Sequence, residues 1–264
     1  MRRLRVLKAL IFDVDGTLAE TEEAHREAFN RVFSEEGLAW HWDQALYRRL
    51  LDVTGGKERI AYYLRDFDPP RAGVPKDAQG DGQVLKTWIA GLHARKTAIY
   101  NSIIAEGGVP LRPGVEALLR QARNEGVGLA IATTTSLPNV ESLLDSTLGQ
   151  SWRNLFQAIA AGDMVKAKKP AADVYLLALQ KLGLAAEGCV ALEDSVNGVC
   201  SARAAGLPVV VTRSTYTDHQ IFDGAALVAD TFSEMAGPAE RTPAEGAAVL
   251  NALRAIAGQS LKPS

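Results

Sequence analysis

Val6-Leu7-Lys8-Ala9-Leu10-Ile11-Phe12-Asp13-Val14-Asp15-Gly16-Thr17 decides the reading of this chain: a short apolar run that stops in acid and glycine. Such a run, bounded by turn residues, marks a strand buried on both faces, as in a parallel sheet. Its polar end then lies at the carboxyl edge of the sheet, where open α/β folds bind ligands. The arginine-rich head at residues 1–5 is like the start of a leader. However, Lys8 interrupts the apolar stretch, Asp13 ends it and no small-residue cleavage site follows. The run is therefore read as a strand and not as a targeting segment.

The same texture returns downstream. Residues 127–132, 189–192 and 208–211 read as further buried strands, and 227–228 as a last one; helical periods lie at 115–122, 174–182 and 196–205. Pro113 and Pro138 sit at helix openings, where a fixed φ and a missing N–H are tolerated. This alternation implies right-handed crossovers and a Rossmann-like parallel sheet with helices on both faces. Residues 21–105 break it. Ala24, Ala28, Phe29, Val32 and Phe33 recur at helical spacing, Leu46, Leu50 and Leu51 mark a second helix, and Ile60, Tyr63 and Leu64 a third. A Pro- and Gly-rich loop at 69–82 precedes a long helix at 84–104. The expected architecture is an α/β core from residues 1–18 and 107–264, with an α-helical cap inserted at 19–106. The tail from 232 onward carries one alanine-rich helical stretch, 244–257.

Composition narrows the partners. The 264 residues are 47% hydrophobic and 23% charged, which suits a globular core and excludes wholesale disorder. Twenty-nine basic against 31 acidic residues give a net charge of −2, without the basic excess that a nucleic-acid backbone demands. Cys189 and Cys200 are too few for a disulfide framework and suit a reducing compartment. No apolar run approaches the ~18 residues of a membrane helix. A soluble, cytoplasmic, monomeric protein acting on a small molecule is expected.

Four polar clusters fall at strand ends or a helix start. Asp13 and Asp15 follow the first strand, Thr133-Thr134-Thr135-Ser136 the second, and Glu193-Asp194-Ser195 the strand at 189–192. Lys166, Lys168 and Lys169 precede a helix expected to open at Pro170. Each alone has a plain structural explanation: an acidic turn, a helix cap, a solvated basic face. In this order on one sheet they converge on one point. Carboxylates brought together make a hard oxygen-donor site suited to Mg²⁺. A lysine with hydroxyls suits the equatorial oxygens of a phosphoryl group. One aspartate, unprotonated and metal-bound, can attack phosphorus to give an acyl phosphate. The other, two residues on, can protonate the leaving oxygen and then deprotonate water. That role needs a pKa above the ~3.9 of a free side chain, through neighbouring negative charge or exclusion of water.

F-D-V-D-G-T-L at residues 12–18 resembles the first motif of the haloacid dehalogenase superfamily of phosphohydrolases, and the resemblance covers most of the chain, fading over 69–82 and after 230. It implies Asp13 as nucleophile and Asp15 as general acid/base. It further implies Thr133 as the hydroxyl that holds the phosphoryl group, Thr134 beside the substrate, and Lys169 as the charge-stabilising lysine. Glu193 and Asp194 are the implied acidic pair. Mg²⁺ would be held by the Asp13 carboxylate, the Asp15 backbone carbonyl and the pair, with Asp194 more direct than Glu193.

A narrower resemblance, to the CbbY branch, rests on L-A-E-T-E-E-A-H at 18–25, W-H-W-D at 40–43, T-G-G-K-E-R-I at 54–60 and K-K-P-A-x-D-V-Y at 168–175. Ala172 departs from the second proline usual there. That branch accompanies Rubisco genes and dephosphorylates xylulose 1,5-bisphosphate, so Mg²⁺-dependent hydrolysis of that sugar phosphate is the expected activity. The cap sequence agrees physically. Residues 54–59 offer backbone N–H groups at a helix start, with Lys57 and Arg59 nearby for a distal phosphate. Glu22 and His25, three apart, share a helix face that can meet the sugar. Trp40 and Trp42 are expected in the cap core. The alternatives are a β-phosphoglucomutase-like phosphate transfer and a phosphoglycolate or broad sugar phosphatase; His25, shared by both branches, does not separate them. A receiver-type signalling module lacks both a second carboxylate at the place of Asp15 and an inserted cap.

Overall fold

A computed structural model describes residues 6–236 and 245–258; the arginine-rich head at 1–5 and parts of the tail, 237–244 and 259–264, lie outside the described residues. Strand β1 (Ala9–Phe12) is followed by four helices, α1 (Glu22–Glu35), α2 (Gln44–Leu50), α3 (Gly56–Asp66) and α4 (Gly82–Ala105). Alternation then resumes through α5 (Val115–Asn124), β2 (Gly128–Ala132), α6 (Leu137–Leu148), β3 (Ala158–Ala160), α7 (Asp173–Leu182) and β4 (Cys189–Glu193). The chain continues through α8 (Val196–Ala204), β5 (Val209–Thr212), β6 (Leu227–Ala229), α9 (Phe232–Met235) and α10 (Glu245–Ala257).

The six strands form one parallel sheet in the order β3-β2-β1-β4-β5-β6. Leu10 and Phe12 pack on one face with α5 and α10, and Ala9 and Ile11 on the other with α7 and α8. Both faces are covered, which is why residues 9–12 show no polar alternation. The topology reverses at β1: β2 and β3 are built on one side, and the chain returns to β4 on the other. Phe12 is level with Ile131 and Leu192, so the residues just past it open into the crevice at that switch point.

Helices α1–α4 enclose a core of their own. Phe29, Phe33, Trp40, Trp42, Tyr47 and Tyr63 pack there as tilted and edge-to-face rings, which places both tryptophans as expected. The loop at 69–82 is packed rather than a solvated link: Val74 and Ala78 enter this core, and the Trp40 indole N–H donates to Pro70 O at 2.7 Å. Strand β3 escaped the sequence reading because Ala-Ile-Ala is too short to show a period. The helix expected at Pro170 opens instead at Asp173, with Ala172 at its N-cap and no side-chain cap bond. Among the described residues no helix is long and apolar enough to cross a membrane, and both cysteines are free.

Candidate active site

Strand β1 delivers Asp13 to the crevice, where its N–H donates to Leu192 O at 2.9 Å. Gly16 turns the chain at φ +77°, and a Cβ there would collide with the Asp194 carboxylate, so only glycine admits the end of β4 this closely. On the other side of the acidic pair, a Cβ on Gly198 of α8 would strike Glu193. Ser195 caps α8, accepting from the Gly198 N–H at 3.1 Å.

Asp13, Glu193 and Asp194 are buried, with one carboxylate oxygen of each within 4.8 Å of the other two. Lys169 Nζ stands among them, 2.6 Å from Glu193 Oε1 and 2.9 Å from Asp13 Oδ1. The Tyr175 hydroxyl also donates to Glu193 Oε1, at 2.6 Å. The Asp13–Lys169 ion pair is out of hydrogen-bonding alignment, so no hydrogen bond reaches Asp13 Oδ1. Burial, with the neighbouring carboxylates, pushes Asp13 up to about 7 against the opposing charge of Lys169. The same causes raise Asp194 well above the carboxylate range. Burial works against the Lys169 ammonium, yet Asp13 and Glu193 outweigh it and hold its pKa above the usual lysine value.

Three carboxylates facing one ammonium leave the cluster short of positive charge. Hard oxygen donors and an orphaned Asp13 oxygen fit a divalent cation of the Mg²⁺ type. Glu193 Oε1, expected to help hold it, is already committed to Lys169 and Tyr175. Asp13 and Asp194 are the open donors.

Asp15 has a different environment. Its Oδ1 accepts from the Thr21 hydroxyl at 2.5 Å and from His25 Nε2 at 3.1 Å. The other ring nitrogen of His25 faces Lys96 Nζ at 2.5 Å, and the ring stacks on Tyr100. Burial and the Lys96 charge lower the His25 pKa, and with the Lys96 ammonium donating to Nδ1 the ring donates to Asp15 from Nε2. For Asp15, burial alone would raise the pKa, but His25, Thr21 and Lys96 reverse this and bring it to about 2. The expected upward shift is thus overturned, because the groups packed round this carboxylate are donors and a cation. His25, expected to face the sugar, commits both ring nitrogens to Asp15 and Lys96.

A cleft of about 660 Å³ lies between this crevice and the helical insert, bordered by Glu22, Lys57, His93 and Thr134 among others. Glu22 also accepts from the Tyr47 hydroxyl at 2.8 Å. Thr133 is buried, next in sequence to the cleft-lining Thr134; its hydroxyl accepts from the Thr135 N–H at 3.2 Å and keeps its own proton to donate. Arg59 is the second cation expected for the distal phosphate. It borders the cleft but is buried, donating to the Tyr47 hydroxyl at 3.0 Å and to Leu50 O at 3.2 Å, which ties α3 to α2. Lys168 turns to Glu58 at 2.8 Å. Burial, helped by the charges of Lys96, Lys168 and Lys57, pushes His93 down to about 3, so this ring adds no positive charge to the cleft.

Sequence reasoning missed Thr21, Lys96, Tyr175, Ser214 and Thr217. Lys96 left a signal: it occupies a buried position in the series Leu92, Lys96, Tyr100, Ile104, where an apolar residue belongs. Burial holds Lys96 down to about 7. The unfolded chain keeps that proton up to pH ~10.4, so stability rises with pH between about 7 and that value. In Lys96→Met the wild-type gain in Tm from pH 7 to pH 9, followed by calorimetry in metal-free buffer, is expected to flatten. Parallel slopes in the two proteins would refute the buried-charge explanation.

A haloacid dehalogenase-like hydrolase family model matches residues 7–206. Protein CbbY encoded on a plasmid of Cupriavidus necator is 49% identical over 237 residues, 90% of this chain and 89% of that one. Protein CbbY of Rhodobacter capsulatus is 52% identical over 219 residues, 83% of this chain and 91% of that one. CbbY from Rhodobacter sphaeroides has been solved with phosphate and, as a mutant, with xylulose-(1,5)bisphosphate. Both structures match with a TM-score of 0.80 at 47% identity, covering 87% of this chain and 96% of that one. The chain belongs to the haloacid dehalogenase-like hydrolases, within their CbbY branch, and is a phosphoric monoester hydrolase.

Proposed function

We propose that this enzyme removes a phosphate from a small sugar bisphosphate, xylulose 1,5-bisphosphate, in a Mg²⁺-dependent reaction through an aspartyl phosphate on Asp13. The observation that carries the reading is a cleft that offers two places for an anionic group: the acidic cluster with Lys169, which a divalent cation would complete, and the lining lysines Lys57 and Lys166. A bisphosphate has two anionic groups to place. The complex of the Rhodobacter sphaeroides relative with xylulose-(1,5)bisphosphate supports the same substrate.

Asp13, Asp194 and the Asp15 backbone carbonyl would hold Mg²⁺, which supplies the positive charge that lets a phosphate approach three carboxylates. Asp13 attacks phosphorus as the bond to the sugar oxygen breaks, while Lys169 and the Thr133 hydroxyl hold the non-bridging oxygens. Asp15 protonates the leaving oxygen. The negative charge of the bound phosphate, in a cleft closed to water, raises its pKa from the low value of the unliganded site. Water then attacks the acyl phosphate as Asp15 takes its proton, which returns the Asp13 carboxylate and frees inorganic phosphate. Thr21, His25 and Lys96 hold Asp15 in place, Glu22 and Thr134 meet the sugar, and Lys57 meets the distal phosphate. Residues 19–106 act as the cap whose closure excludes bulk water.

Phosphate release over xylulose 1,5-bisphosphate, ribulose 1,5-bisphosphate, phosphoglycolate and β-glucose 1-phosphate tests this directly, with the first expected to give the highest kcat/KM. Lys57→Ala is expected to lower kcat/KM about 10–100-fold for bisphosphates, as for one charged hydrogen bond, and little for monophosphates. Equal losses for both would remove the distal-phosphate role. Conversion of β-glucose 1-phosphate without net phosphate release would replace hydrolysis by a mutase activity.

A further inference from the structure

The segment between β5 and β6 touches the acidic pair with one side and the helical insert with the other. The Ser214 hydroxyl donates to Asp194 Oδ2 at 2.7 Å and the Thr217 hydroxyl lies 3.3 Å from the same oxygen, both side chains being buried. Tyr216, between them, points the other way. Its ring enters the core of α1–α4, edge-on to Tyr47 at 5.6 Å and under the Arg48 guanidinium, and its hydroxyl donates to Glu23 of α1. Arg48 of α2 closes over the segment, donating to Thr215 O at 2.7 Å and pairing with Asp218 at 2.9 Å. Gln220 anchors the far end, its Oε1 accepting from the Val196 N–H at 2.8 Å where α8 begins, directly after the acidic pair.

Resting on the reading that Asp194 holds the metal, we propose that residues 214–220 are a positioning element that couples metal binding at Asp194 to the seating of α1 and α2 on the sheet. Ser214 and Thr217 fix one oxygen of Asp194 and so orient the other toward the cleft. Hydroxyl side chains are short, so their placement is set by the backbone of 214–217. That backbone is held by Tyr216 in the neighbouring core and by Arg48 from above. When α1 and α2 are unseated, Tyr216 loses Tyr47, Glu23 and Arg48 together, and the donors on Asp194 lose their support. The coupling is reciprocal by linkage: a cation on Asp194 favours the seated helices to the same extent. Neither Tyr216 nor Arg48 lines the cleft, so their effect on the metal runs only through this segment.

Calorimetric titration of the full chain with Mg²⁺, without substrate, tests the coupling. Ser214→Ala is expected to weaken Mg²⁺ binding about 10–100-fold, as for other partners of metal ligands. Tyr216→Phe, which keeps the ring and loses only the bond to Glu23, and Arg48→Ala are each expected to weaken it about 5–20-fold, within the usual range of coupling between sites. Arg48→Lys should recover part of the Arg48→Ala loss. Mg²⁺ should slow amide exchange in α1 and α2 of the unaltered protein and not in these two variants. A lower Tm with unchanged Mg²⁺ affinity in Tyr216→Phe and Arg48→Ala would mean a purely structural role and overturn the proposal. Failure of the unaltered protein to bind Mg²⁺ would overturn it together with the metal reading. Mg²⁺ binding without sugar-phosphate hydrolysis would defeat the functional reading alone, and the variants' affinities would still decide the coupling.

Discussion

Asp13→Asn is expected to abolish phosphate release, with a loss of about 10⁴-fold or more in kcat, the scale seen when a nucleophile is removed. The fold should be unharmed. Asparagine keeps the shape, and the carboxylate it replaces is one that burial already pushes up to about 7. A group with its pKa raised in the folded state binds more protons there than in the unfolded chain, so it makes stability fall as pH rises from about 4 to about 7. The variant should lose that slope in metal-free buffer and be at least as stable as the wild type at pH 7. Lys169 keeps Glu193 as its partner at 2.6 Å, so no buried ammonium is left alone. Steady-state phosphate release and thermal scans on the same preparation check both halves. Turnover within tenfold of the wild type would remove Asp13 as nucleophile; lost activity with a collapsed Tm would mean that the carboxylate was structural.

The residues legible in the sequence are those whose position follows from a single strand end. Asp13, Glu193 and Asp194 each sit one or two residues from the last apolar position of a buried strand, so strand polarity alone carries them to the switch point. Lys169 needed a second constraint, that its segment pass beside β4, and the motif order supplied it. What stayed hidden arrives from elements whose rotation is set by packing. Thr21 comes from the opening of α1 and Lys96 from α4, and with His25, which the sequence offered only for the sugar, they reverse the pKa expected of Asp15. Ser214 and Thr217 reach Asp194 from the segment after β5, with no motif to mark them. Lys57 and Arg59, two residues apart at the start of α3, both border the cleft, but nothing in their spacing shows that Arg59 spends its guanidinium on Tyr47 and Leu50 between α2 and α3.

Lys169→Met is expected to damage activity and stability together, and the response to Mg²⁺ separates its two roles. The ammonium is almost fully buried between Glu193 Oε1 and Asp13 Oδ1, and Asp194 shares the cluster. Removing one partner of a buried ion pair costs about 3–5 kcal/mol, because the other charge is left uncompensated. At roughly 2–4 °C per kcal/mol for a chain of this size, Tm should fall by roughly 6–20 °C. The fall should be smaller at pH 6 than at pH 8. Asp13, already raised to about 7, loses the neighbour that lowered it and takes up a proton below that pH, which removes one of the two charges left without Lys169. A divalent cation binds the folded cluster and not the unfolded chain, so it stabilises by mass action. With the competing ammonium gone, Mg²⁺ should raise the Tm of the variant more than that of the wild type. Activity should stay down about 10³-fold at saturating Mg²⁺, because the group proposed to hold the equatorial phosphate oxygens is still missing. Thermal scans at pH 6 and pH 8, with and without Mg²⁺, read the first role, and phosphate release reads the second. An equal Mg²⁺ shift in both proteins would mean that Lys169 is not the cluster's compensating charge, and activity restored by Mg²⁺ would mean that charge compensation was its whole task.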